Sequence, residues 1–160
     1  WWCCDAVFFV VQAEGGIRDL VRSRGLGDVY KRQGPDVLAQ SGVVRKDITA
    51  SFGTSTTKAE GVPMTLELTI LDIAGGGGAM KGAAVYAWHC DRAGQYSMYS
   101  SGITNENYLR GVQITDANGV VSFTSIFPGC YSGRWPHIHF EDYPDQASIS
   151  DSTKAIATPQ

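Results

Sequence analysis

The regular part of the chain opens with a strict alternation of apolar and polar positions. From Val62 to Ile70 every second side chain is a large apolar one, and Pro, Thr and Glu lie between them. A period of two is typical of a strand with one buried face, so the pattern predicts a strand here. The glycine run within Ala74–Ala79 supplies the positive φ that a turn needs. A further strand is predicted over Ala83–His89.

A second pair of strands surrounds the turn sequence Asp116-Ala-Asn-Gly119. Val112 and Ile114 alternate before it, and Val121 and Phe123 alternate after it. Because Asn-Gly is a strong local signal for a tight turn between paired strands, this segment predicts a β-hairpin.

A last strand is predicted over Pro136–Glu141, and the following Asp142 indicates its end, since a β-branched residue would continue it better. Several short strands, frequent turns and no sustained helical period together predict an all-β fold. We expect a β-sandwich of mostly antiparallel strands.

Composition narrows the class of protein and of partner. A chain of 160 residues with 43% hydrophobic residues supports one globular domain. The formal net charge of −3 argues against nucleic acid or an anionic membrane as the main partner. No run reaches the roughly 18 apolar residues that a membrane span requires. A small-molecule partner is therefore expected.

The N-terminal part differs in character from the rest. Residues 16–33 carry five basic side chains beside two acidic ones, and they resemble translated sequencing-adapter sequence. We therefore expect residues 1–33 to be non-native, the alternative being a basic amphipathic helix. Residues 34–61 read as an extended arm with one short helix near Val37. Residues 62–160 form the expected sandwich core.

Two of the four cysteines lie within the expected core. Cys90 and Cys130 could form one disulfide in an oxidising compartment, or they could be two free thiols, because the sequence gives no separation between them. The compartment stays open.

Candidate chemistry concentrates in the last predicted strand. His137 and His139 are two residues apart, so they share one face of the strand, about 7 Å apart along the backbone. Two imidazoles on one face form half of a metal site. Taken alone, a surface pair or a structural pair of histidines would explain the pattern as well.

Three sequence blocks make the pattern more specific. They are AWHCDRAGQYSMYS (Ala87–Ser100), NYLRGVQITDANG (Asn107–Gly119) and FPGCYSGRWPHIHFE (Phe127–Glu141). In this order they resemble the intradiol ring-cleavage dioxygenases, which cleave catechol-type aromatic diols between their hydroxyls at a mononuclear ferric centre. The resemblance covers about half of the chain.

The resemblance implies a set of site residues. The expected ligands of Fe(III) are two tyrosines and two histidines: Tyr96, Tyr131, His137 and His139. This set suits the metal, because a hard ferric ion favours anionic phenolate oxygen. The resemblance also implies that Tyr131 leaves the metal when substrate binds, that Arg134 stabilises negative charge on the ring, and that Gln160 belongs to the site. The expected substrates are an aromatic diol and O2, and the expected product is a muconate-type diacid.

Further expectations concern truncation and export, which rest on the same resemblance, and two polar residues, His89 and Arg110. Family members run on through further strands, so we expect the sandwich to be truncated at its C-terminus. Related single-domain forms are often exported, and the oligomeric state stays open, a homodimer included. His89 is expected to be structural. Arg110 is expected to buttress the site, to bind a substrate carboxylate, or to form a structural ion pair.

Two other classes of function stay open beside the dioxygenase. One is a catalytically inactive β-sandwich that binds carbohydrate or protein. The other is a different metalloprotein, although zinc or copper sites more often recruit Cys or a third His.

Overall fold

The computed structural model describes residues 10–12 and 37–157, and their regular structure is mainly strand. The strands are β1 (Val10–Gln12), β2 (Pro63–Asp72), β3 (Gly78–Ala79), β4 (Ala84–Trp88), β5 (Arg110–Ile114), β6 (Val120–Ile126) and β7 (His139–Tyr143). Short 3₁₀ helices occupy Val37–Ala39, Gln146–Ser148 and Ser152–Lys154. Among these described elements, no helix has the length and apolar character to cross a membrane.

The strands form two sheets. In the first, β2 pairs antiparallel with β6 and β3 and parallel with β1. In the second, β4 lies between β5 and β7 and is antiparallel to both. The all-β class and the mostly antiparallel pairing are therefore confirmed.

The main core contains side chains of both sheets, as expected of two sheets packed face to face. The buried members are Ile48, Leu66, Leu68, Ile70, Val85, Ala87, Val121, Phe123 and Phe140. Of the alternating apolar positions that the sequence singled out, Leu66, Leu68 and Ile70 on β2 are buried and Met64 is half-buried, whereas Val62 precedes the strand and is 64% exposed. The period-two pattern thus correctly identified the inward face.

The predicted second hairpin is wrong in its pairing. The turn itself is present, since the Gly119 amide donates to the Asp116 carbonyl over 3.1 Å. However, β5 pairs with β4 while β6 pairs with β2, so the turn joins the two sheets. Alternation along a strand reveals which face is buried, but it does not reveal the neighbouring strand.

The last strand also differs from its predicted bounds. It runs from His139 to Tyr143, so His137 precedes it. Asp142, which was expected to end the strand, is instead paired with Val85 inside it and is buried. Strand pairing is made by the backbone, and Asp142 lies between β4 on one side and residues 156–157 on the other, where its amide donates to the Ala157 carbonyl and its carbonyl accepts from the Ile156 amide. This backbone pairing holds Asp142 in the sheet despite its poor intrinsic preference.

The described part of the arm that precedes the core, residues 37–61, packs against both sheets. Its short helix near Val37 is confirmed as a 3₁₀ turn. Val44 bridges to Val112 on β5, and Asp47 bridges to Thr124 on β6. Strand β1 lies inside the range 1–33 that we expect to be non-native, and the three segment boundaries stay a prediction.

Candidate metal centre

A short loop after β4 delivers the first tyrosine. The Asp91 carboxylate accepts hydrogen bonds from the amides of Ala93 (2.8 Å) and Gln95 (2.9 Å). The Gly94 amide donates to the Asp91 carbonyl over 3.0 Å. An aspartate that bonds its own following backbone fixes a tight turn. This turn places Tyr96 just beyond the end of β4.

The loop that carries the second tyrosine packs directly on the first loop. The Gly129 amide donates to the Asp91 carbonyl over 2.9 Å. Gly94 has a φ of +79°, and a Cβ there would lie 2.6 Å from the Cys130 carbonyl oxygen. A side chain at Gly94 would therefore force the two loops apart, next to Tyr131.

The thiols near these loops are not bridged. Cys90 is buried and Cys130 is exposed, and both are free. The Cys90 thiol donates to the Gly129 carbonyl over 3.4 Å. Of the two alternatives that the sequence left open, the structure has the free thiols.

Four side-chain tips from three segments meet at one point. The Tyr96 Oη atom lies 3.3 Å from Tyr131 Oη, 3.3 Å from His137 Nε2 and 3.2 Å from His139 Nε2. The Tyr131 Oη atom lies 3.1 Å from His137 Nε2. The structure thus brings together all four residues that were expected to bind iron.

The spacing of these donors suits a single metal ion. Two donors at about 2.0–2.2 Å from one ion lie roughly 2.8–3.6 Å apart when their bonds meet at about 90–109°. The observed separations of 3.1 to 3.3 Å fall within this range. Two phenolic oxygens and two imidazole nitrogens also match the preference of a hard ferric ion. The residues present therefore fit Fe(III).

The described residues contain no group of three or more His, Cys, Asp or Glu side chains that could hold a metal. The candidate centre differs from such groups because half of its donors are tyrosines. A survey of the usual metal-ligating residue types would miss it for this reason.

The two histidines are oriented in different ways. His137 Nδ1 lies 2.6 Å from the Trp135 carbonyl, which can only accept, so Nδ1 holds the proton and Nε2 presents its lone pair. The His139 ring instead stacks on Trp88, with centroids 5.0 Å apart and planes at 11°. Trp88 was not among the residues that the sequence singled out for the site.

Burial sets the protonation of the cluster. Burial first, and then the charges of His137 and Arg134, lower the pKa of His139 to about 4, so its imidazole is neutral at pH 7. Burial, followed by the hydrogen bond with Tyr131, raises the pKa of Tyr96. The phenol therefore stays protonated until a cation binds its oxygen and reverses this preference.

The remaining expected site residues have different placements. Arg134 is half-buried at the end of the tyrosine loop, where its amide donates to the Tyr131 carbonyl over 2.8 Å. Its charge is near enough to lower the pKa of His139. Gln160 lies outside the described residues.

Two further polar residues lie behind the centre. His89 is buried between the Cys90 carbonyl and the Ser125 hydroxyl, each 2.7 Å away, which is the structural role expected of it. Arg110 is buried and donates to Ser97 and Tyr86. Among the described residues Arg110 forms no ion pair, so of the three expected alternatives its hydrogen bonds to Ser97 and Tyr86 favour the buttressing role.

Comparison with known proteins agrees with this site. A family model described as Dioxygenase matches residues 33–141, which is more than half of the chain. No curated protein matches the chain.

Two solved dioxygenases with TM-scores above 0.5 share the fold, and a third is similar in sequence. One dioxygenase crystal structure is 31% identical with a TM-score of 0.55, covering 63% of this chain and 51% of that one. An intradiol ring-cleavage dioxygenase from Tetranychus urticae is 30% identical with a TM-score of 0.54, covering 63% and 50%. Catechol 1,2-dioxygenase from Pseudomonas arvilla C-1 is 29% identical with a TM-score of 0.49, covering 68% and 39%.

This chain spans about half the length of the first two solved structures. The family model, by contrast, takes in both tyrosine loops and both histidines. The chain therefore belongs to the intradiol ring-cleavage dioxygenase family.

Proposed function

We propose that this chain is a non-haem iron(III) dioxygenase that cleaves a catechol-type aromatic diol between its hydroxyls with O2, giving a muconate-type diacid. The observation that carries the proposal is the convergence of two phenol oxygens and two imidazole nitrogens: Tyr96 Oη lies 3.2 to 3.3 Å from the other three donor atoms, and Tyr131 Oη lies 3.1 Å from His137 Nε2. A cluster of these four groups serves no evident packing purpose, since each brings a polar tip to the same point.

In this proposal the four groups hold the iron as two phenolates and two neutral imidazoles. The ferric ion, when bound, supplies a Lewis acid that draws electron density from a coordinated diol. The imidazoles suit their role because His137 keeps its proton on Nδ1 and His139 is neutral at pH 7. His137 therefore presents an Nε2 lone pair, and His139 carries no positive charge that would repel the ion.

Tyr131 is proposed to have a second role as a proton acceptor. A diol must lose its hydroxyl protons to bind as an anion, and a phenolate oxygen is a suitable base for one of them. Both tyrosines lie on loops, but Tyr96 contacts all three other donors, whereas Tyr131 lies within hydrogen-bond distance of Tyr96 and His137. Tyr131 is accordingly the tyrosine that can give up its place at the site.

Arg134 is proposed to stabilise negative charge on the ring during cleavage. A guanidinium keeps its positive charge at any physiological pH, so it can stabilise electron density that develops on a substrate. Its influence on His139 supports a position facing the cluster. Gln160 is retained as a proposed site residue on the resemblance alone.

The test combines iron content, visible absorption and oxygen uptake. Iron-loaded protein should show a visible phenolate-to-iron absorption band and should consume O2 with at least one of catechol, hydroxyquinol or protocatechuate. Tyr96→Phe and Tyr131→Phe should each shift or weaken the band. Tyr99→Phe is the matched control, because Tyr99 is 45% exposed and outside the cluster.

Two results would contradict the proposal in different ways. An iron-loaded protein without visible colour, or an unchanged band in Tyr131→Phe, overturns the ligand set. A coloured protein that consumes no O2 with any diol of the panel overturns the activity and favours the inactive binding module.

A further inference from the structure

Arg110 is a buried cation close behind the candidate metal centre. It is 4% exposed, and among the described residues its guanidinium has only neutral hydrogen-bond partners. A buried charge without a counter-charge is unfavourable, so good hydrogen-bond geometry is needed to retain it. The planar guanidinium donates hydrogen bonds on two sides. On one side its partner is Ser97, the neighbour of Tyr96, and on the other side its partner is Tyr86, which connects to His139 through Trp88.

One side of the guanidinium holds the loop of Tyr96. Nε donates to the Ser97 hydroxyl over 3.1 Å, and Nη2 donates to the Ser97 carbonyl over 2.9 Å. The same hydroxyl donates to the Tyr108 carbonyl over 2.7 Å. The residue that follows Tyr96 is thus fixed through both its side chain and its backbone.

The other side leads to His139. Nη1 donates to the Tyr86 hydroxyl over 3.0 Å. The Tyr86 ring stacks on Trp88, with centroids 4.8 Å apart and planes at 19°, and Trp88 in turn stacks on His139. Trp88 is paired with Arg110 on one neighbouring strand and with His139 on the other. The three residues form one row across the second sheet.

We propose that Arg110 is a positioning residue, which fixes Tyr96 through Ser97 and fixes His139 through the Tyr86–Trp88 stack. Its hydrogen bonds end on Ser97 and Tyr86 and reach none of the four donor tips. This inference rests on the proposed function, because it takes the bound ion to be iron. It adds that Arg110 sets the distance between two of the proposed ligands, Tyr96 and His139. Groups that orient metal ligands in this way typically change metal affinity by about 10–100-fold when they are removed.

The test uses variants that separate the two sides. Arg110→Lys keeps the charge and loses the fork, Tyr86→Phe removes only the acceptor on the His139 side, and Ser97→Ala removes only the hydroxyl on the Tyr96 side. Tyr143→Phe is the matched control, because Tyr143 is a fully buried tyrosine whose hydroxyl bonds Glu141 instead. Iron affinity is measured by competition with a chelator, together with the visible band and the unfolding of the metal-free protein.

We expect Arg110→Lys to lower iron affinity by about 10–100-fold and to shift the band. Tyr86→Phe and Ser97→Ala should each have a smaller effect in the same direction, and Tyr143→Phe should have none. An unchanged affinity and band in Arg110→Lys would overturn the inference. The inference would also be overturned if Arg110→Lys lost iron affinity only in proportion to the fraction of unfolded protein, while the visible band of the folded fraction stayed unchanged.

A metal-free measurement keeps this inference separate from the proposed function. In ¹⁵N spectra of the imidazoles, Tyr86→Phe should move the His139 signals and leave those of His137 in place. If the wild-type protein binds no iron, the proposed function fails while this measurement still decides the positioning role. Unmoved His139 signals would overturn it, even if Arg110→Lys does not fold.

Discussion

At the scale of single residues, Asp142 is a carboxyl group buried without compensation. It is 1% exposed, and within residues 37–157 neither of its carboxyl oxygens has a hydrogen-bond partner. It lies on the same face of β7 as Phe140, which is part of the main core. Burial raises the pKa of this carboxyl to about 7. The folded protein therefore holds a proton here that the unfolded chain releases near its usual pKa of about 3.9.

This difference predicts a pH-dependent stability. Between about pH 4 and pH 7 the folded state binds more protons than the unfolded state, so the free energy of unfolding should fall as the pH rises. The fall is at most roughly 1.4 kcal/mol per pH unit, and it ends near the folded pKa. Asp142→Asn should remove this contribution and stabilise the protein at pH 8.

Urea unfolding of the metal-free protein at several values between pH 4 and pH 8.5 is the measurement. The wild type should lose stability across this range relative to Asp142→Asn. The two should converge at the acidic end, where both carry a neutral side chain at position 142. Parallel curves for the two proteins would contradict the expectation.

The four donor residues could be named from the sequence, whereas their surroundings could not. Tyr96, Tyr131, His137 and His139 lie in motifs that resemble one family, and their tips do converge. Trp88 gave no such signal, because its contact with His139 depends on the register between β4 and β7. Register is read from alternation and turn geometry, but β4 is buried at four successive residues and β7 is distant in sequence, so neither signal was present.

At the scale of elements, the contact between the two tyrosine loops is a specific point of weakness. Gly94→Ala would combine a left-handed φ of +79° with a Cβ that lies 2.6 Å from the Cys130 carbonyl. The left-handed conformation alone is unfavourable for alanine by about 1–2 kcal/mol. The added steric conflict should move the loop that carries Tyr131.

Gly102→Ala provides the matched control for this prediction. Gly102 has a similar φ of +88°, but a Cβ there would meet no atom within 4 Å. Both variants should lose stability, and only Gly94→Ala should also lose iron affinity and alter the visible band. Chemical unfolding and chelator competition measure the two effects. Equal behaviour of the two variants would mean that the loop contact does not set the position of Tyr131.

The elements also show which features of the fold the sequence pattern predicts and which it does not. The alternation predicted β2 and its buried face, because one buried face imposes a period of two. β4 was predicted as the strand after the glycine turn, and its first four residues are buried in succession. The turn at Asp116–Gly119 was predicted too, but its strands enter different sheets. Gly119 lies against the Ile70 carbonyl, where a Cβ would clash, so the turn is adapted to a crossing between sheets.

The arm illustrates a second limit, because its contribution to the core was not expected. Ile48 is fully buried and belongs to the main core, while Val44 in the same arm is 38% exposed. Ile48→Ala should therefore cost about 2–5 kcal/mol of stability, the usual range for a large buried side chain. Val44→Ala should change it far less.

Equilibrium unfolding of both arm variants measures this difference. A small effect of Ile48→Ala would show that the core closes without the arm. Since Ile48 lies beside Gly111, where a Cβ would come within 2.5 Å of it, the site has little room to collapse. This supports a value toward the upper part of the range.

At the scale of the whole molecule, the proposed iron would join segments that are distant in sequence. Tyr96 follows β4, Tyr131 lies in the loop after β6, and His139 begins β7. An ion that binds only the folded arrangement stabilises it by mass action, by about 2.7 kcal/mol at a free concentration 100-fold above its dissociation constant. Iron should therefore raise the midpoint of thermal unfolding of the entire sandwich.

The pH dependence of that stabilisation distinguishes the proposed donors from others. Binding must displace the proton of each phenol, so iron affinity should rise by up to ~100-fold per pH unit while two protons are released. His139 adds nothing to this slope between pH 6 and pH 8, because its pKa is lowered to about 4 by burial. Tyr96→Phe removes one of the two phenols, so its slope should fall to ~10-fold per pH unit. For each protein, the slope of iron affinity against pH is obtained from the unfolding midpoints with and without iron at several pH values. The free iron concentration is set by a chelator, and the midpoints are corrected for the titration of that chelator. Identical slopes for the wild type and Tyr96→Phe would show that Tyr96 does not bind the ion as a phenolate, whatever the absolute affinities are.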